Sequence, residues 1–157
     1  MKESIIDLIN DSIRNFTNIS NDTSQLLLIE KITNDIIKAF NNNCKLLLCG
    51  NGGSAADAQH IAAELSGRFE MDREPLNAEA LHVNSSFLTA VANDYGYEEV
   101  YARMVAAKGQ KGDVLLALST SGNSSNVLKA IEQANLIGMI TIGFSGSDGG
   151  KMKDICK

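Results

Sequence analysis

The stretch LLLCGNGGSAADAQHIAAEL, residues 46–65, decides the fold. Its first four residues are apolar and strand-like. Gly50-Asn51-Gly52-Gly53-Ser54 interrupts them, and a run of helical period follows. A buried strand, a glycine turn and a helix, in that order, open a βαβ unit. The helix carries one of the chain's two histidines, His60, with Glu64 one turn later.

Working outward, the same texture recurs. KLLLCG (45–50), AEALHV (78–83), DVLLALS (113–119) and MITIGFS (139–145) read as strands. Helical patterns fill 54–70, 86–107 and 124–137 between and after them. Alternation of this kind predicts a doubly wound α/β domain with a mostly parallel sheet and helices on both faces. The unbroken apolar run 113–118 suits a strand buried on both sides. Ahead of the first strand, residues 3–41 read as two amphipathic helices divided near NDTSQ (21–25). Such helices bury little alone, so they must pack on the later domain or on another subunit. No internal repeat, low-complexity segment or linker interrupts the 157 residues, which predict one domain.

Composition narrows the function classes. The formal charge of -5 speaks against a nucleic-acid or anionic-membrane surface, which needs a basic patch. It leaves room for a small phosphorylated ligand held by one loop. Cys44, Cys49 and Cys156 fit neither a disulfide framework nor a zinc ribbon. The opening MKESIIDLIN has no continuous apolar segment, and no run is long enough to span a membrane. The expectation is a reduced, cytoplasmic setting.

In parallel sheets, ligands bind beyond the carboxyl ends of the strands. Three of those ends are rich in Gly, Ser and Thr: Gly50–Ser54, Ser119-Thr120-Ser121-Gly122-Asn123-Ser124, and Ser145-Gly146-Ser147-Asp148-Gly149-Gly150. Serines are good turn and cap residues, and a single one would mean no more than that. Four hydroxyls in six residues, leading into a helix, point to a phosphate cradle that needs no lysine. Neither a GxGxxG fingerprint in a suitable unit nor a Walker loop is present.

On the helix after Ser54, positions 57, 60, 64 and 68 form one stripe (Asp57, His60, Glu64, Arg68). Ala55, Ala58, Ala62, Leu65 and Phe69 form the opposite one. A polar stripe is usually a solvated face. Its start at a glycine turn beside a phosphate loop favours a working role, and His60 and Glu64 can share a metal or a substrate. Asn93-Asp94-Tyr95-Gly96 marks a pause before a helical restart at Glu98. That pattern is ordinary helix-end chemistry, or else it places Asp94 near a sugar hydroxyl.

CGNGGSAADAQHIAAELSGRF, ANDYGYEEVYAR, GDVLLALSTSGNSSNVLKAI and GFSGSDGGKM together resemble the sugar isomerase (SIS) domain family, and within it the phosphoheptose isomerases. The likeness covers nearly the whole chain, including the leading helices. It implies conversion of sedoheptulose 7-phosphate to D-glycero-D-manno-heptose 7-phosphate through an enediol. This is the first step toward nucleotide-activated heptose, such as ADP-heptose, for lipopolysaccharide or another surface glycan.

Carried over by position, the resemblance makes Glu64 the general base. It makes Asn51, Gly52, Gly53, Ser54, Glu64, Arg68, Asn93, Asp94, Ser119, Thr120, Ser121 and Ser124 substrate-binding residues. His60 and Glu64 become ligands of one zinc ion per subunit. It also implies a cytoplasmic homotetramer, with helices 3–41 at its core and no nucleic-acid or membrane partner. The family continues with a fifth strand and a last helix bearing a catalytic histidine and a glutamine ligand. This sequence has no match for them, and His82 does not take their place. An alternative is a non-catalytic scaffold like the DnaA initiator-associating proteins, which bind a protein partner; the retained His60 and Glu64 favour the enzyme. A sugar-phosphate-sensing regulatory domain is a third reading, and the lack of a DNA-binding module weighs against it.

Overall fold

The computed structural model describes residues 2–146 and 148–157, so Ser147 of the fourth-strand loop lies outside the described residues. The chain divides into two compact units, one ending at Asp35 and the other running from Ile36 to Lys157.

The first unit consists of helix α1 (Lys2–Asn21) and most of helix α2 (Thr23–Asn41). One residue separates them. Asp22 Oδ1 accepts from the backbone N–H groups of Ser24 and Gln25 at 3.0 and 3.1 Å, so it acts as the N-cap of α2. The Ser24 hydroxyl also donates to Asp22 Oδ1 at 2.6 Å, and this bond, with the backbone ones, holds the carboxyl below the usual range. Every described side chain from Glu3 to Lys31 is exposed, including Leu8, Phe16 and Leu27. The apolar side chains of these helices as far as Lys31 are therefore uncovered, while Ile32, Ile36 and Phe40 are part-buried and Ala39 is buried.

In the second unit, four strands make one parallel sheet in the order β2-β1-β3-β4. They are β1 (Leu46–Cys49), β2 (Ala78–Ala80), β3 (Val114–Ser119) and β4 (Ile140–Ser145). β1 and β3 are buried at every position, which explains their unbroken apolar runs. The helices α3 (Gly53–Ser66), α4 (Ser85–Tyr95), α5 (Val100–Lys108), α6 (Ser125–Ile137) and α7 (Met152–Ile155) alternate with the strands. Leu47, Leu115, Val105, Tyr101, Val127 and Ile131 form the centre of the core.

The amino end of the sheet is fastened by charge. Asp113 is fully buried, and its carboxylate meets Lys45 Nζ at 2.6 Å and the N–H groups of Lys45 and Gln110 at 2.9 Å. No helix among the described residues is long and apolar enough to cross a membrane.

Several boundaries differ from the sequence expectation. α3 stops at Ser66, because Gly67 follows and the Arg73 guanidinium donates to the carbonyls of Glu64 and Leu65 at 3.0 and 2.8 Å. Arg68 and Phe69 therefore fall beyond the helix, and Phe69 is exposed rather than part of an apolar stripe. The stretch 86–107 is two helices joined by a 3-10 turn, Tyr97–Glu99, because Gly96 takes φ 93°. Helix α7 was not expected; its four residues are too few to carry a period.

Candidate active site

The order β2-β1-β3-β4 fixes where a ligand can enter. From β1 the chain moves outward to β2, then returns to the far side of β1 as β3. The carboxyl ends of β1 and β3 thus flank a topological switch point, where a crevice opens in doubly wound sheets. A depression of about 230 Å³ lies there, lined by Asn51, Ser54, Leu118, Ser119, Thr120, Ser121 and Ser124. The loops that follow β1 and β3, Gly50–Ser54 and Ser119–Ser124, therefore meet in space, although some 65 residues separate them in sequence.

The serine loop is held from within and from behind. Ser119 and Ser124 share a hydrogen bond between hydroxyls at 2.9 Å, and the Asn123 N–H donates to Ser121 Oγ at 3.2 Å. Ser124 is the N-cap of α6, yet no side chain caps the helix, so first-turn N–H groups are left for a ligand or water. Behind the loop runs the turn after β4. The Met152 N–H donates to the Gly122 carbonyl at 3.1 Å, and the Lys151 N–H donates to Asn123 Oδ1 at 3.1 Å. The two turns pass backbone against backbone. A Cβ on Gly150 would sit 2.7 Å from the Gly122 carbonyl carbon, and only glycine allows that approach.

The β1 turn is tied to the same wall. Asn51 and Asn126 exchange two amide hydrogen bonds, at 2.8 and 2.9 Å, and the Tyr97 hydroxyl donates to Asn51 Oδ1 at 3.3 Å. The buried Tyr101 hydroxyl donates to the Gly50 carbonyl. Burial, then the neighbouring Tyr97, pushes the Tyr101 phenol well above its ordinary range, so it stays a neutral donor. A lysine ties the 3-10 turn to α6, as Lys129 Nζ meets Glu98 and Glu99 at 2.8 and 2.6 Å. Sequence reasoning missed Asn126, Tyr97 and Tyr101, whose partners lie 46 to 75 residues away. Only the position of Asn126, in the first turn after the serine loop, could have drawn notice.

The remaining expected residues are not among those that line the depression. Gly52 and Gly53 form the exposed start of α3, and Gly52 takes φ 55°. His60 Nε2 lies 3.4 Å from Glu64 Oε1, with the histidine exposed and the carboxylate about one-third exposed. Ten residues separate Ser54 from Glu64, about 15 Å of helix, although the glutamate side chain leans back toward the helix start. Arg68 is exposed beyond α3. Asn93 and Asp94 are exposed at the end of α4, where Asn93 Nδ2 donates to Asp94 Oδ1 at 2.8 Å. His82 follows β2, away from these groups in sequence; its Nδ1 is buried without a hydrogen bond, and burial lowers its basicity.

A zinc site wants four ligands, or three and a water. His60 and Glu64 supply two, and no group of three or more His, Cys, Asp or Glu residues gathers among the described residues. The donors among the described residues do not complete a zinc centre.

Comparison with known proteins identifies the family. Residues 10–146 match the SIS domain family. The phosphoheptose isomerase of Helicobacter pylori (strain P12) is 58% identical over 120 residues, which are 76% of this chain and 62% of that protein. The Nitratiruptor enzyme of the same name is 60% identical over 120 residues, 64% of its length. Measured on these relatives, the chain spans less than two thirds of their length. The phosphoheptose isomerase of Clostridium acetobutylicum is 48% identical over 156 residues, 99% of this chain and 80% of that one. Among solved structures, the phosphoheptose isomerase GmhA of Neisseria gonorrhoeae superposes with a TM-score of 0.90 at 39% identity, covering 99% of this chain and 80% of its own. The Francisella tularensis phosphoheptose isomerase reaches 0.92 at 35% identity, with the same coverage.

Proposed function

The chain belongs to the SIS domain family, beside the phosphoheptose isomerases, and on that premise we propose that it is an aldose–ketose isomerase acting on sedoheptulose 7-phosphate. One observation carries the reading: the hydroxyls of Ser54, Ser119, Thr120, Ser121 and Ser124 line a single depression at the switch point of the sheet. Neutral hydroxyls and helix-start N–H groups suit a phosphate ester, and they account for a sugar-phosphate site in an acidic chain.

The phosphate is the anchor, and its binding orients the far end of the sugar. Glu64 removes a proton from C1 of the ketose. The electron pair of that bond forms the C1–C2 double bond of a cis-enediol, and the carbonyl oxygen at C2 takes up a proton. Return of a proton to C2, with loss of the O1 proton, gives the aldose, D-glycero-D-manno-heptose 7-phosphate.

Arg68, Asn93 and Asp94 act on the sugar hydroxyls in this proposal, and Asn51, Gly52 and Gly53 shape the first turn. His60 and Glu64 are the groups suited to hold a zinc ion, which would polarise a carbonyl. Two ligands do not complete its shell, so no step is derived through it. The proposal further takes the protein as a cytoplasmic homotetramer, with residues 3–41 at its centre. The uncovered apolar stripe of α1 and α2 supports an assembly of that kind.

The test is incubation of the full-length protein with sedoheptulose 7-phosphate, followed by NMR for heptose 7-phosphate. Folded, tetrameric protein without turnover refutes the activity. Glu64→Gln is expected to lower kcat by about 10²–10⁴-fold while leaving substrate binding measurable; unchanged kcat removes Glu64 from the base role.

A further inference from the structure

Resting on that reading, we propose that Asn126 is a positioning residue, with Tyr97 as its auxiliary: together they lock the Asn51 side-chain amide so that it presents only an N–H donor to the sugar phosphate.

The argument is a count of hydrogen-bonding capacity. A side-chain amide offers two acceptor sites on oxygen and two N–H donors on nitrogen. Asn51 Oδ1 accepts from Asn126 Nδ2 at 2.9 Å and from the Tyr97 hydroxyl at 3.3 Å, which uses its acceptor capacity. Asn51 Nδ2 donates to Asn126 Oδ1 at 2.8 Å, which uses one of two hydrogens. What remains for a ligand is one N–H. Asn51 lines the depression beside Ser119 and Ser124, so this donor faces the same ligand as the hydroxyls do. A serine can donate or accept, and so reads neither the charge nor the polarity of an oxygen. A donor-only group favours an acceptor oxygen, such as those of a phosphate ester.

Asn126 is well placed to set this polarity. It is 3% exposed, and it sits one residue into α6, which the serine loop feeds. Its amide has no solvent with which to exchange its partner. The reciprocal pair also joins the β1 turn to the β3 turn across the switch point. Tyr97 approaches from a separate element, the 3-10 turn, which Lys129 holds to α6.

The experiment is a double-variant cycle on the full chain, read by kinetics on sedoheptulose 7-phosphate and by side-chain amide NMR. Asn126→Ala is expected to raise KM about three- to tenfold with kcat held, the size of one hydrogen bond lost remote from the reacting carbons. In an Asn51→Ala background the same change is expected to be silent, because its effect runs through Asn51. Tyr97→Phe, at a half-exposed site that does not threaten folding, is expected to raise KM by a smaller factor. It decides the matter on the same criteria if Asn126→Ala does not fold. Losses that multiply in the double variant, or fall on kcat, overturn the proposal; so does unchanged KM. If wild type does not turn over the sugar phosphate, the proposed activity fails, and the amide spectrum alone decides the inference. An Asn51 amide that is locked in wild type and freed by Asn126→Ala upholds it. One that is free in wild type overturns it.

Discussion

Replacement of Gly122 by alanine tests the claim that the serine loop is shaped by the turn behind it. Gly122 has φ 62°, a conformation that costs an L-residue about 1–2 kcal/mol. An added Cβ would lie 2.6 Å from the Gly149 carbonyl carbon and 2.9 Å from the Gly150 nitrogen, where ordinary contact begins at 3.4 Å. Both neighbours are backbone and neither can rotate away, so the turns must part by about 0.8 Å or more. Parting them strains the bond from the Met152 N–H to the Gly122 carbonyl and that from Lys151 N–H to Asn123 Oδ1, each worth about 0.5–1.5 kcal/mol. The expected cost is about 2–4 kcal/mol, or roughly 5–15 °C in melting temperature for a chain of this size.

The same displacement moves Ser121 and Ser124 by a large fraction of an ångström. A misplacement near 1 Å can cost about a hundredfold in a positioned site, so affinity for the sugar phosphate is expected to fall about ten- to a hundredfold. Differential scanning calorimetry and isothermal titration, run on the same preparation, read the two quantities. Gly53 provides the contrast for stability, since an added Cβ there meets nothing within 4 Å and alanine favours a helix. Gly53→Ala is expected not to lower the melting temperature. A Gly122→Ala protein that melts and binds like wild type refutes the reasoning, because the turns would then be free of each other.

Asp113→Ala removes the buried acceptor of a part-buried lysine and two backbone N–H groups, with an expected loss of about 3–5 kcal/mol by urea denaturation. A loss under about 1 kcal/mol would mean that Lys45 finds water instead. Burial pushes the Cys49 thiol up to about 12, so in native protein at pH 8 it is expected to resist iodoacetamide while the half-buried Cys44 reacts; mass spectrometry reads the sites, and early labelling of Cys49 would contradict its burial. His82 has its basicity lowered by burial, so its neutral form favours the fold above the unfolded value near 6.5, and that contribution is lost as pH falls below it. The melting temperature of His82→Gln is expected to fall less than that of wild type between pH 7 and 5.5; an equal fall removes His82 as a source of acid sensitivity.

The strands were legible because β1 and β3 are buried on both faces, which leaves an unbroken apolar run that only a central parallel strand needs. Their termini followed from glycine and serine, which have no place inside such a strand. The stripe on α3 was legible as far as Leu65 and failed at Arg68 and Phe69. Periodicity carries no information about where a helix stops, and here the stop depends on Arg73 reaching back to the last carbonyls. The serine loop was legible, from its own composition, as a loop at a strand's carboxyl end that lines a depression. Its supports were not, because Asn126, Tyr97 and the glycines at 149 and 150 matter through partners brought close by the fold. An asparagine in a helix and a tyrosine in a turn look ordinary until the register of β1 beside β3 is known.

The buried carboxylate of Asp113 and the hydroxyls after Ser119 stand at opposite ends of one six-residue strand, about 20 Å apart. One end of β3 is fastened by a charge that no ligand can reach, and the other is left to groups that a ligand can displace water from. Sites this far apart with no shared partner contribute independently. Heat tolerance can therefore be adjusted at Lys45 and Asp113 without moving the serine loop, whereas a backbone change such as Gly122→Ala alters stability and affinity together.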